Sequence, residues 1–126
     1  MVPKNCLVMG KFAQQRLNGE PMTIRGDGEQ RRDFTYVGDV VKANILAATT
    51  ECGDALQGTS INIGNGDNRS VNQIADMIGG ERVNVQPVLE PRETLADISK
   101  AERLLGWKPI GHIETWMKSY KKELGL

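Results

Sequence analysis

Histidine and cysteine are nearly absent from this sequence: His112, Cys6 and Cys52 are all it contains. A structural zinc site needs about four such ligands in close spacing, so a dedicated one is not expected. The two cysteines make no CxxC pair and residues 1–5 hold no apolar signal region, so they read as reduced thiols of a cytoplasmic protein. Sixteen basic side chains balance sixteen acidic ones. A general nucleic-acid binder carries a basic excess and an acidic tail carries a run, so neither is indicated. The apolar stretches fall far short of the roughly 20 residues that span a bilayer. Neither nucleic acid nor membrane is expected as a partner. A catalytic set is also lacking. Tyr36 is followed four places on by Val40 and Tyr120 by Leu124, so no Tyr-x-x-x-Lys pair exists. His112 stands alone beside Gly111 at a helix start, and no Ser or Cys nucleophile has a histidine base near it in sequence.

What remains is ordinary globular material: 126 residues, 39% hydrophobic and 25% charged, enough for one domain. Neither an internal repeat nor a low-complexity segment interrupts it. Helical spacing of Leu7, Val8, Phe12, Ala13 and Leu17 ends at Asn18-Gly19. Residues 22–24 read as a strand, Gly26-Asp27-Gly28 as a turn, and residues 32–37 as an extended segment. Asp39 is expected to cap a helix from Val40 to about Thr50, with Val41, Ile45 and Leu46 on its buried face. Residues 60–63 read as a strand, and Ser70-Val71-Asn72-Gln73 as a capping box whose helix stops at Gly79-Gly80. Residues 83–88 alternate like a half-buried strand. A second capping box, Ser99 to Glu102, opens a short helix ending at Gly106. The last helix sets Ile113, Trp116, Met117, Tyr120 and Leu124 on one stripe, opposite Lys118, Lys121, Lys122 and Glu123. The aromatic pairs Phe34/Tyr36 and Trp107/Trp116 read as core. The expectation is a small mixed α/β domain with about four helices and short strands between them. No strand precedes the first helix, so the chain is expected to begin inside a larger fold.

Two constellations carry potential chemistry. Arg25, Arg31 and Arg32 surround the Gly26-Asp27-Gly28 turn, and guanidinium groups grip phosphate oxygens in a planar fork. A diphosphate site and a solvated hairpin are both compatible with that spacing. Gly64-x-Gly66-x-x-Arg69 nearly matches the dinucleotide fingerprint, but its third glycine is Arg69, and Glu90 is the nearest acidic residue about twenty positions on. A plain strand-to-helix loop is the expectation there.

The order Leu17-Asn18-Gly19-Glu20-Pro21-Met22-Thr23-Ile24, Gly26-Asp27-Gly28-Glu29-Gln30, Arg32-Asp33-Phe34-Thr35-Tyr36-Val37 and Asp39-Val40 resembles the C-terminal domain of NAD-dependent epimerase/dehydratases, extended short-chain dehydrogenases. Asn62-Ile63-Gly64 with Ser70-Val71, Leu95-Ala96-Asp97-Ile98-Ser99-Lys100-Ala101 and Leu105-Gly106-Trp107-Lys108-Pro109 continue the likeness from Leu7 to the last helix. The resemblance implies a substrate-binding domain for a nucleoside-diphosphate sugar over residues 1–126, the C-terminal part of an extended short-chain dehydrogenase fold, nucleotide-sugar 4-epimerase-like. It implies Arg32 on the diphosphate, and Val8, Met9 and the residues before Gly26 along the nucleobase. Arg25 stands where members often have Tyr or Phe. Arg92 is one candidate for a second phosphate arginine, and another alignment puts Val88 there. NAD, the Tyr-x-x-x-Lys pair and the usual dimer helices are implied for an N-terminal Rossmann domain upstream, the expected partner. By this reading the chain alone binds no cofactor and catalyses nothing. A homodimer is a further expectation, as is an apolar patch at Leu7, Val8 and Met9. A nucleotide-sugar dehydratase or decarboxylase, or a non-catalytic binding or interaction module, is the alternative.

Overall fold

A computed structural model describes residues 7–51 and 56–126. Cys6 and Cys52 lie outside them. The described chain holds five helices and four short strands: α1 (Val8–Leu17), β1 (Met22–Arg25), β2 (Arg31–Arg32), α2 (Val37–Thr49), β3 (Arg69–Ser70), α3 (Val71–Ile78), β4 (Arg82–Val85), α4 (Ser99–Leu105) and α5 (Ile113–Leu124). They form two compact units. One contains the described residues up to Arg32, Arg69–Glu93 and Glu114–Leu126; the other contains Asp33–Asn68 and Thr94–Ile113. No described helix is long and apolar enough to cross a membrane.

In the first unit, β1 pairs in parallel with β4, Met22 opposite Arg82 through Arg25 opposite Val85. Met22 and Ile24 point into the core with Phe12 and Ala13 of α1 and Ile74, Ala75 and Ile78 of α3. β4 is mostly exposed rather than half-buried, because β1 supplies the inward apolar positions. The first capping box forms as its sequence dictates. The Ser70 hydroxyl accepts the Gln73 N–H at 3.1 Å, and the Gln73 side chain accepts the Ser70 N–H at 2.8 Å. That starts α3 on its apolar face. Along α5, Met117 is buried and Trp116 stacks on Tyr120 with ring centroids 4.5 Å apart. Trp116 is half-buried rather than core. Lys121, placed by sequence on the solvent side, donates to the Met77 carbonyl at 3.0 Å.

The second unit is built on Trp107, packed with Ala43, Ala101 and Leu105 and flanked by Leu46, Ile61 and Ile63. Residues 60–63 form no strand; Ile61 and Ile63 pack on this cluster as irregular chain. The extended segment is likewise shorter than expected, since β2 ends at Arg32 and α2 begins at Val37. Asp39 therefore lies inside α2 instead of capping it. Its carboxylate is buried and accepts the N–H groups of Ile110 at 3.1 Å and Gly111 at 2.9 Å, while its carbonyl accepts the Trp107 indole N–H at 2.9 Å. This early start rotates α2 so that Asp39 and Ala43 face inward and Leu46 is partly covered. Val37, Val41 and Ile45, spaced by four, are exposed. Tyr36 is exposed too, not core. α4 is capped by Ile98 rather than Ser99, whose N–H and hydroxyl both turn to the Asp97 carboxylate, so the second capping box does not form. Gly106 ends that helix as expected.

Replacing Asp39 with Ala removes the buried acceptor of two main-chain N–H groups, those of Ile110 and Gly111. Urea unfolding is expected to show a loss of about 2–4 kcal/mol for Asp39→Ala, and a smaller one for Asp39→Asn, which keeps an acceptor. Equal stability of all three proteins would contradict the role given to this carboxylate.

Candidate functional site

β1 runs out of the core at Arg25 into the Gly26-Asp27-Gly28 turn. Gly28 has φ +76°, and a Cβ there would lie 2.2 Å from the Asn72 side-chain oxygen and 2.8 Å from Ile24, so the turn packs flat only without a side chain. Asn72 fixes it further by donating to the Asp27 carbonyl at 2.9 Å. On the far side, residues 86–93 return beside β2. The Arg31 N–H donates to the Arg92 carbonyl at 2.9 Å, and Arg31 forms a parallel β-bridge with Glu93. These two contacts bring turn and return segment together around a groove of about 310 Å³. Arg25, Asp27, Gln30, Glu90 and Arg92 give its polar lining, and Pro87, Val88 and Pro91 its apolar side. That size and mixture suit a small ligand with one charged part.

The arginines of the groove are held by carboxylates. Arg92 donates from both terminal nitrogens to the two oxygens of Asp27, each at 2.8 Å. Arg32 donates to Glu90 at 2.9 Å and to the Arg31 carbonyl at 2.7 Å. Glu90 also accepts the Gln30 amide at 3.0 Å, and Gln30, almost wholly buried, donates to the Arg25 carbonyl at 2.9 Å. Arg25 is exposed and makes a long 3.4 Å contact with the Gln86 carbonyl. The Arg92 hydrogen bonds, followed by the Glu29 N–H, hold the Asp27 carboxyl down at about 2, and the same pair raises Arg92.

The groove thus joins Arg25 with Arg92, and reaches Arg32 through Glu90. Val8 and Met9, half-buried at the start of α1, do not line it. Val88, the alternative to Arg92, lines it as well, so both alignments lead to one place. Sequence reading missed Asp27, Gln30 and Glu90 as parts of the site. Their only signal was negative charge and an amide within a run of arginines.

The Gly64–Arg69 loop has a different use. The Asp33 carboxylate accepts the N–H groups of Asn65 at 2.8 Å, Gly66 at 3.0 Å and Ala96 at 3.1 Å. A Cβ on Gly64 would lie 2.4 Å from that of Ala96. The glycines let the loop close on an internal anion, and a dinucleotide pyrophosphate would meet a carboxylate in the same place. These residues do not fit a dinucleotide. Among the described residues, no group of three or more His, Cys, Asp or Glu is arranged to hold a metal.

Comparison with known proteins identifies the family. Residues 3–64 match the model of the NAD dependent epimerase/dehydratase family. UDP-glucuronate 4-epimerase of Thermodesulfobacterium geofontis (strain OPF15) is 36% identical over 86% of this chain and 34% of its own. UDP-glucuronic acid decarboxylase 1 of Xenopus tropicalis is 32% identical over 93% of this chain and 29% of its own. The crystal structure of UDP-glucuronic acid 4-epimerase from Bacillus cereus, in complex with UDP-glucuronic acid and NAD, superposes with a TM-score of 0.82 at 28% identity. That match takes in 94% of this chain and 40% of the other. The chain belongs to the NAD dependent epimerase/dehydratase family and corresponds to the C-terminal part of those enzymes, with an extended short-chain dehydrogenase fold. It spans about two fifths or less of the length of the relatives it matches.

The Asp27–Arg92 pair has a defined pH range. Asp27 is depressed, so the pair is complete above the ordinary carboxyl value of 3.8 and is lost as pH falls through about 2. Carbon-detected NMR titration should place the Asp27 midpoint near 2, and Arg92→Ala should move it up towards 3.8. A midpoint indifferent to Arg92 would mean that the bidentate pair does not exist in solution.

Proposed function

We propose that this chain supplies the nucleoside-diphosphate-sugar-binding part of a nucleotide-sugar epimerase, with a UDP-sugar as substrate and 4-epimerisation as the reaction. One observation carries this reading: Arg25 and Arg92 converge on a single groove whose Glu90 holds Arg32, in a chain of this family. Arg32 grips the diphosphate, a role suited to a planar guanidinium beside a turn. Arg92 provides a second phosphate contact, and Arg25 lays its guanidinium plane on the nucleobase where an aromatic ring would otherwise lie. Val8 and Met9 enter only as flanking nucleobase contacts outside the groove. The Bacillus cereus enzyme, solved with UDP-glucuronic acid and NAD, supports this choice of ligand.

In the complete enzyme NAD would supply the hydride acceptor for this chemistry, and the base that it needs would come from outside this chain. The Gly64–Arg69 loop closes on Asp33 and does not fit a dinucleotide, and no Tyr-x-x-x-Lys occurs in the sequence. A Rossmann domain is therefore the working partner, and the cytoplasm is the setting. Self-association into a homodimer belongs to the same reading; of the apolar patch expected at Leu7, Val8 and Met9, Leu7 is exposed while Val8 and Met9 are half-buried. A decarboxylase acting on the same class of substrate is the second reading, favoured by the Xenopus relative.

Titration with UDP, followed by NMR, is expected to move resonances of residues 25–33 and 87–92. Arg32→Ala should weaken binding by about 1.5–3 kcal/mol, roughly ten- to hundredfold. Shifts clustering elsewhere, or unchanged in the variant, would overturn the site. Micromolar NAD binding by calorimetry, or turnover of a UDP-hexose by this chain alone, would overturn the division of labour.

A further inference from the structure

We propose that Asp27 and Glu90 are resident anions of the groove: they occupy the guanidinium forks of Arg92 and Arg32 until a diphosphate replaces them, and so set the affinity for it. The proposal rests on the diphosphate reading of the groove and adds the way in which its affinity is limited. The Asp27 carboxylate meets Arg92 side-on, with two parallel bonds of 2.8 Å, which is the arrangement a phosphate would adopt. Glu90 takes a terminal nitrogen of Arg32 at 2.9 Å. Of the charged residues that line the groove, Arg25 and Arg92 are matched in number by Asp27 and Glu90, while Arg32 pairs with Glu90 from beside it. An incoming diphosphate therefore meets a positive charge that the carboxylates have largely offset, and it must separate two ion pairs or endure two carboxylates at close range.

Exposure decides whether such exchange is feasible. The Arg92 and Asp27 side chains are 65% and 57% exposed, and exposed ion pairs hold weakly, so this pair opens readily. Arg32 and Glu90 are 23% and 34% exposed, and Glu90 is also anchored by the buried Gln30. Asp27 therefore yields first and Glu90 second. Arg25, with its long contact to Gln86, meets the anion before either. The carboxylates hold Arg92 and Arg32, and the free energy of breaking those pairs is subtracted from phosphate affinity. A ligand with a single weak anionic group does not displace both.

Calorimetric titration of UDP and of inorganic pyrophosphate into the 126-residue chain, and into its Asp27→Asn and Glu90→Gln variants, tests this. Both changes are isosteric, and amide spectra report whether each variant is folded. Each should bind both anions roughly three- to tenfold more tightly than the parent. In the parent, the Nε–H resonances of Arg32 and Arg92 should shift on adding either anion, which keeps the test decisive even if a variant fails to fold. Binding by the parent with equal or weaker binding by folded variants would overturn the resident-anion role and leave the diphosphate site standing. Binding by the parent with unmoved arginine resonances would overturn that role as well. Failure of parent and variants alike to bind either anion would sink the site itself.

Discussion

One carboxylate, that of Asp33, takes main-chain N–H groups from Asn65, Gly66 and Ala96. Irregular chain carries N–H groups without ladder partners, and leaving them unpaired away from water is costly. Asp33 supplies the acceptor that a sheet would otherwise provide. Asp39 repeats the device for Ile110 and Gly111. The second unit is largely loop and helix, and these two carboxylates satisfy part of its irregular backbone.

The same dependence explains the neighbouring motif. Arg32 and Asp33 are consecutive, yet one makes an ion pair at the groove and the other closes a loop. Two adjacent charges of opposite sign therefore serve different ends, one pairing with a side chain and the other with the backbone. In the arginine turn, opposite charges interleave in the sequence and again in space. At the groove Arg92 and Arg32 are held by carboxylates, and the Asp27–Arg92 pair is the more exposed of the two.

How much could be read from the sequence follows the range of each signal. The Ser70–Gln73 box, the Gly106 stop and the α5 stripe are complete within a few residues, and the structure contains each. Asp39 looked like a helix cap because local spacing allowed it; its true partners lie 71 and 72 residues away. Ser99 failed as a cap because Asp97, two residues earlier, accepts from both its N–H and its hydroxyl. Of the groove, Arg25 and the neighbouring Arg32 stood out in the sequence as guanidinium groups beside a glycine turn, while Arg92 was suggested only by the family resemblance. Asp27, Gln30 and Glu90 were not legible, since pairing across 58 to 65 residues leaves no periodic trace.

The parallel pairing of β1 with β4 bears on how the protein is made. Met22 finds its partner at Arg82, about sixty positions later, and Lys121 must still reach back to Met77. Closing so long a loop loses chain entropy before any contact repays it. During synthesis α1 and β1 emerge with their apolar sides uncovered, and the first unit completes only when the final helix leaves the ribosome. Until then Phe12, Met22 and Ile24 lack part of the cover they have in the folded unit.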